Sequence, residues 1–229
     1  MRVDIYRIYA RAPRAVSAFL LAAAALGFSF SAAGGAFAQG GGNALGERID
    51  AAKEPAKREK LYQELGAARD GAAAAALSRA ALSDAEPGAR INAILALRKI
   101  GGPVALKGLL EALSAEKHKG VRIQAVNSLG FFSAPEALAR LRDLARNDPD
   151  KDLRISAVMA LSRLNDRQAL NDNFSVEADT SVKLGIIDAL GRVDGGEEEL
   201  KKLKTKSKDA KMNERLDFYT GEKKKGKKK

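Results

Sequence analysis

The sequence predicts an all-α fold, an alpha-solenoid of about five stacked helical hairpins. Three observations predict it. A block of similar residues returns at Arg90, Arg122, Arg154 and Lys183, at spacings of 32, 32 and 29 residues. Within each block the apolar residues recur every three or four positions, with no alternation of period two. A break of Gly, Pro, Asn or Asp follows every block, as a turn between two helices requires.

The copies run over 89–97, 121–129, 153–161 and 182–190. In the first, Ile91, Ile94, Leu97 and the following Ile100 fall along one helical face. The breaks are Gly101-Gly102-Pro103, Ser133-Ala134-Pro135, Asn165-Asp166 and Asp194-Gly195-Gly196. There Gly closes one helix and Pro or Asp opens the next. Second helices are expected at 103–115, carrying Leu106, Leu109, Leu110 and Leu113, and at 135–146, carrying Leu138, Leu141 and Leu144. Residues 166–179 set Leu170 and Phe174 among polar neighbours, which predicts a short or irregular helix and a loop.

A degenerate first unit precedes these, because Leu65, Ala68 and Leu77 lie 32 residues before Leu97, Ile100 and Leu109. Its Ala72–Ala76 run offers little apolar area, so this unit is expected to fray first. The Arg in the first turn of each copy is expected to reach an acidic residue of a neighbouring turn, a scaffold role.

Glu86-Pro87-Gly88-Ala89-Arg90, and the stretch from Asp148-Pro149 to Leu153-Arg154, give the repeat a recognisable opening. On these residues the chain resembles the HEAT family, in particular its short bacterial phycobilisome-lyase HEAT-like repeats. The likeness extends over residues 87–194 and, weakly, 57–86. It implies a HEAT-like superhelix whose second helices line the concave side. On function the likeness is nearly silent; the chain as a whole reads as an exported protein-interaction or scaffolding module, and the family's name alone suggests an alternative, a bilin-lyase-like cofactor chaperone.

The flanks differ from this middle. Residues 1–38 read as a signal peptide: Arg2, Arg7, Arg11 and Arg14 precede an apolar run from Ala15 to Phe30, and Ala36-Phe37-Ala38 supplies a cleavage site before Gln39. Residues 39–56 read as a linker, 57–206 as the solenoid, and 207–229 as a basic, largely disordered tail. The charge follows the same division: four Arg against Asp4 leave +3 in residues 1–38, while residues 201–229 carry +9, so 39–200 is near neutral. The expected location is the periplasm or cell envelope of a bacterium. An uncleaved leader would instead make the protein a membrane-tethered structural component.

Catalytic chemistry finds little to work with. There is no Cys, and the single His118 sits between Lys117 and Lys119 in an inter-repeat turn, where solvation explains it. The His-Glu iron motifs of the HEAT-type deoxyhypusine hydroxylases are missing, as is any Trp of the kind found in HEAT-like DNA glycosylases. Asp148, Asp150 and Asp152 alternate as in a calcium loop, but Leu153 stands where Gly is needed and Met159 where the bidentate Glu belongs. Helix capping accounts for these aspartates, and the helix dipole for Glu197–Glu199. No catalytic, metal-binding or cofactor-binding residue is expected, and the protein reads as non-enzymatic.

Two binding surfaces remain. On the second helices Lys107, Arg140, Arg142 and Arg146 are expected to face outward and to receive another protein. In the tail Lys223, Lys224, Lys225, Lys227, Lys228 and Lys229 suit an anionic membrane surface or an acidic protein. No nucleic acid is expected, since no aromatic side chain interleaves those lysines.

Overall fold

A computed structural model describes residues 44, 46–49 and 51–221. The expected signal peptide and the terminal lysines 223–229 lie outside the described residues. Among the described residues, from Pro55 onward, eleven helices follow one another: α1 Pro55–Ala68, α2 Gly71–Ser83, α3 Pro87–Ile100, α4 Gly102–Ala115, α5 Lys119–Leu129, α6 Pro135–Asn147, α7 Lys151–Arg163, α8 Arg167–Val176, α9 Thr180–Leu190, α10 Gly196–Lys206 and α11 Ala210–Thr220. No strand occurs among the described residues.

The helix boundaries have local causes. Pro55, Pro87 and Pro135 each stand at the start of a helix, where their fixed φ is already suitable and no N–H is missed. Asp70, Asp166, Asp179 and Asp209 cap α2, α8, α9 and α11 by accepting backbone N–H bonds in the first turn. The turn between α3 and α4 uses Gly101 and Gly102 at φ of 72° and 74°, which a side chain rarely adopts. Asn165 takes the same region at φ 57°, and its amide both donates to Asp194 Oδ2 and accepts from the Asp194 N–H, each at 2.9 Å.

Helices α1, α3, α5, α7, α9 and α11 pack each upon the next in one layer, and α2, α4, α6, α8 and α10 form the other. Leucines 65, 77, 97, 109, 129, 141, 161, 170 and 190 are fully buried between the layers. Each hairpin thus hides its apolar stripe only against its neighbours. The short α8 matches the contracted third spacing.

The second layer is uneven. Helices α2 and α4 pack closely because Gly108 faces Ser78 with no room for a Cβ, and Ala73, Ala74 and Ala76 are buried nearby. Helices α4 and α6 instead stand apart, and large side chains of α4 point toward the gap.

The structure shifts the tail's beginning. Residues 210–220, expected within the disordered tail, form α11 and bury Leu216 completely. Met212, Leu216 and Tyr219 follow at helical spacing, an apolar stripe that the surrounding lysines conceal in the sequence. Tyr219 donates to Asp188 Oδ1 at 3.2 Å, and Arg215 pairs with the same carboxylate at 3.3 Å. At the other end the expected linker already contributes buried Ile49.

The repeated arginines build clamps across the inter-repeat turns. Arg58 Nε meets Asp84 at 2.8 Å, Arg90 Nε meets Glu116 at 2.6 Å, Arg122 Nη2 meets Asp148 at 2.6 Å, and Arg154 Nε meets Glu177 at 2.9 Å. Each of these carboxylates closes an even-numbered helix and also accepts the backbone N–H two residues on, from Glu86, His118, Asp150 and Asp179 respectively. Arg58, Arg90 and Arg154 donate in addition to backbone carbonyls of the preceding turn. One guanidinium therefore ties two successive turns together. In the last copy Lys183 departs from this pattern and lies over the Phe174 ring at 5.7 Å.

Burial works to raise the pKa of Asp84, Glu116 and Glu177, but hydrogen bonds outweigh it and hold all three below the usual carboxylate range. Those bonds come from Tyr62, Glu86 N–H and Arg58 at Asp84, from Arg90 and His118 N–H at Glu116, and from Arg154 and Asp179 N–H at Glu177.

Replacing Arg90 by Met is expected to cost about 2 kcal/mol in urea unfolding, because it strands a largely buried carboxylate. Lys57→Met, which breaks only the exposed pair with Glu54, should cost less than about 0.5 kcal/mol. A folded-state pKa held low means that the clamps contribute fully above the unfolded carboxylate values near ~4 and lose that contribution as pH falls through the lower folded values. The melting temperature should accordingly drop below about pH 4, with a smaller drop in Arg90→Met.

Candidate partner-binding site

The gap between α4 and α6 is a groove of about 660 Å³, within the range that ligand sites occupy. Its floor and walls are Pro103, Leu106, Leu110, Phe131, Phe132 and Ala134, and Lys107, Glu111 and Glu136 stand among its polar lining. Lys107 reaches Glu111 one turn along α4 at 3.8 Å. Both aromatic residues come from the turn after α5, which is closed by bonds from Phe131 N–H to Ser128 O and from Phe132 N–H to Leu129 O. That turn sends Phe132 into the core, 9% exposed, and leaves Phe131 54% exposed.

Phe131 is exposed but not alone. The Arg98 guanidinium, from the end of α3, lies over its ring at 4.7 Å, and that of Arg163, from the end of α7, at 4.5 Å. Three consecutive first helices thus converge on one ring. Gly130 permits it: a Cβ there would meet Arg163 Nη1 at 2.6 Å and Ala160 Cβ at 2.9 Å, so α5 and α7 approach without an intervening side chain. Arg163 also donates to Asn127 O at 3.5 Å.

The clasp differs electrostatically from the clamps. Among the described residues neither Arg98 nor Arg163 has a carboxylate partner, whereas Arg58, Arg90, Arg122 and Arg154 each have one. Attraction to a ring supplies only about 0.5–1 kcal/mol at an exposed site. Two guanidiniums beside one exposed aromatic side chain therefore retain most of their donor capacity for an incoming acceptor.

Of the residues singled out from the sequence on the second helices, Lys107, Arg142 and Arg146 line two clefts and Arg140 lies in neither. Lys107 lies in the α4–α6 groove. Arg142 and Arg146 line a smaller cleft with Gln168, Asp172 and Asn173 of α8. Arg142 is engaged there with Asp166, the α8 cap, at 2.7 Å, while Arg146 is exposed. Arg140 is half-buried and pairs with Asp143 at 2.8 Å. Phe131, Arg98 and Arg163 were not signalled by the repeat's core positions. The available sign was that Phe131 fills the position taken by Lys99 one repeat earlier and Arg163 one repeat later. An aromatic residue interrupts a column of cations.

Among the described residues no group of His, Asp and Glu is arranged to hold a metal ion, and no helix is long and apolar enough to cross a membrane.

HEAT repeats match the sequence over residues 42–122 and 106–172, more than half its length. The chain belongs to the HEAT-repeat family. Its clamped hairpins are HEAT units, and the groove opens between the second helices of two of them. Among solved structures, one similar to this HEAT chain is the complex of CpcE and CpcF of phycocyanin lyase from Nostoc sp. PCC7120. It shows 21% identity over 72% of this chain and 70% of that one, with a TM-score of 0.46. No curated protein matches the chain.

Replacing Gly130 by Ala should force α5 and α7 apart and lower stability by about 1–3 kcal/mol in urea unfolding. Phe131→Ala, which removes an exposed ring, should change stability by less than about 1 kcal/mol.

Proposed function

We propose that this HEAT protein works by binding another protein, without catalysis, and that the α4–α6 groove with the Phe131 clasp is its working surface. The observation that carries the reading is the pairing of an apolar groove with an exposed aromatic side chain and two arginines that have no carboxylate partner among the described residues. Buried aromatic and Arg anchors are the groups that dominate protein–protein affinity. A stack of HEAT hairpins presents such a surface on rigid helices, with little ordering left to complete on association.

The proposal includes place as well as partner. The cationic start, apolar run and Ala36-Phe37-Ala38 motif of residues 1–38 support export to the periplasm or cell envelope. The terminal lysines support a second, weaker attachment to an anionic surface, sensitive to salt.

Affinity capture from envelope extract, followed by mass spectrometric identification, tests the reading. A protein held by the wild type at moderate salt and lost with Phe131→Ala is the expected result. Retention by Phe131→Ala, alongside loss on removing residues 222–229, would move the function to the tail. The mass of the protein recovered from its bacterial host should correspond to a chain beginning at Gln39.

A further inference from the structure

Resting on the scaffold reading above, we infer that the groove receives a segment of its partner that carries an apolar anchor and, within about three residues of it, a single Asp or Glu. The apolar anchor fits between Leu106, Leu110 and Phe131, and the carboxylate meets one of the two guanidiniums at that ring, Arg98 or Arg163. The spacing follows from the geometry: both guanidiniums lie within 5 Å of the Phe131 ring, which itself lines the groove. An extended chain advances about 3.3 Å per residue, so anchor and carboxylate are near neighbours in sequence.

Charge restricts the occupant further. Among the described residues Arg98 and Arg163 lack carboxylate partners, and guanidinium forks bind carboxylates with paired, charge-assisted bonds. The remainder of the groove is not basic, because Glu111 and Glu136 line it and Lys107 is paired with Glu111. A polyanion laid along the groove meets those carboxylates and is repelled. An amphipathic segment with one acidic residue at the Phe131 end meets cations there and apolar walls beyond it. The same polarity disfavours nucleic acid, whose charge is continuous.

A random peptide library displayed on phage, selected against the purified protein and against its Phe131→Ala variant, supplies the probes. Peptides retained only by the wild type should share a large apolar residue with Asp or Glu one to three positions away. Their synthetic, fluorescently labelled forms are then measured by anisotropy. Changing the acidic residue to its amide should weaken binding ~10-fold or more, and so should the double variant Arg98→Gln/Arg163→Gln. Combining the two changes should cost no more than either alone, since both remove the same contact. Melting of the double variant within a few degrees of wild type keeps the comparison sound.

Fully additive losses, or enriched peptides without an acidic residue, overturn this inference. If an identified partner is lost with Phe131→Ala yet kept by Arg98→Gln/Arg163→Gln, the inference fails while the scaffold reading stands. A library that yields no peptide dependent on Phe131 counts against both. A mass that doubles with concentration, and reverts to that of one chain in Phe131→Ala, would make a second copy of this chain the occupant and overturn the inference.

Discussion

The bond between the repeated arginine and the carboxylate that closes the next even helix is the constraint on which the stack depends. A helical hairpin has no buried face until its neighbour is in place, so the angle between neighbours has to be fixed by something other than its own core. The arginine fixes it. It starts an odd helix, holds the turn before that helix through carbonyls and the turn after its hairpin through a carboxylate. The carboxylate in turn holds the N–H of the residue that opens the next unit. Each contact is modest alone, but the pairs are largely buried and share partners, so their loss leaves donors and acceptors unsatisfied together.

Side-chain size then decides where the stack closes and where it opens. Gly108 against Ser78, and Gly130 against Ala160, bring helices to near contact in different layers. Between α4 and α6 the facing residues are larger, and the second layer parts while the first remains continuous. The groove is thus produced by ordinary packing rather than by a special insertion. Its apolar walls include Leu106, largely buried in the core, and Leu110, partly buried against it.

Much of the architecture was legible because a repeat states its core several times over. The hairpins, the short α8 and the reach of Arg90, Arg122 and Arg154 to acidic turns all follow from spacing. Arg58 was equally available, 32 residues before Arg90, but the alanine-rich first unit masks the repeat around it. Helix α11 was hidden because its stripe of Met212, Leu216 and Tyr219 sits among lysines, and composition reads the segment as tail. The candidate site was harder still to foresee. Phe131 belongs to a turn that pattern reading treats as punctuation, and whether an arginine is paired or free depends on contacts between units. Lys107 and Arg142 share an outward face in the sequence, yet one lines the groove and the other is anchored to a helix cap.

The clasp draws one ring and two cations from three successive units, and that makes it a gauge of curvature. Any bend of the superhelix alters the separation between the ends of α3 and α7, and with it the seat offered to a bound group. Reciprocally, a group held at this ring in the proposed binding mode would stiffen that stretch of the spring. In the binding mode proposed above, occupancy and shape would be thermodynamically linked: tension on the ends of the array would change affinity at its middle, and occupancy at the middle would change how readily the ends yield.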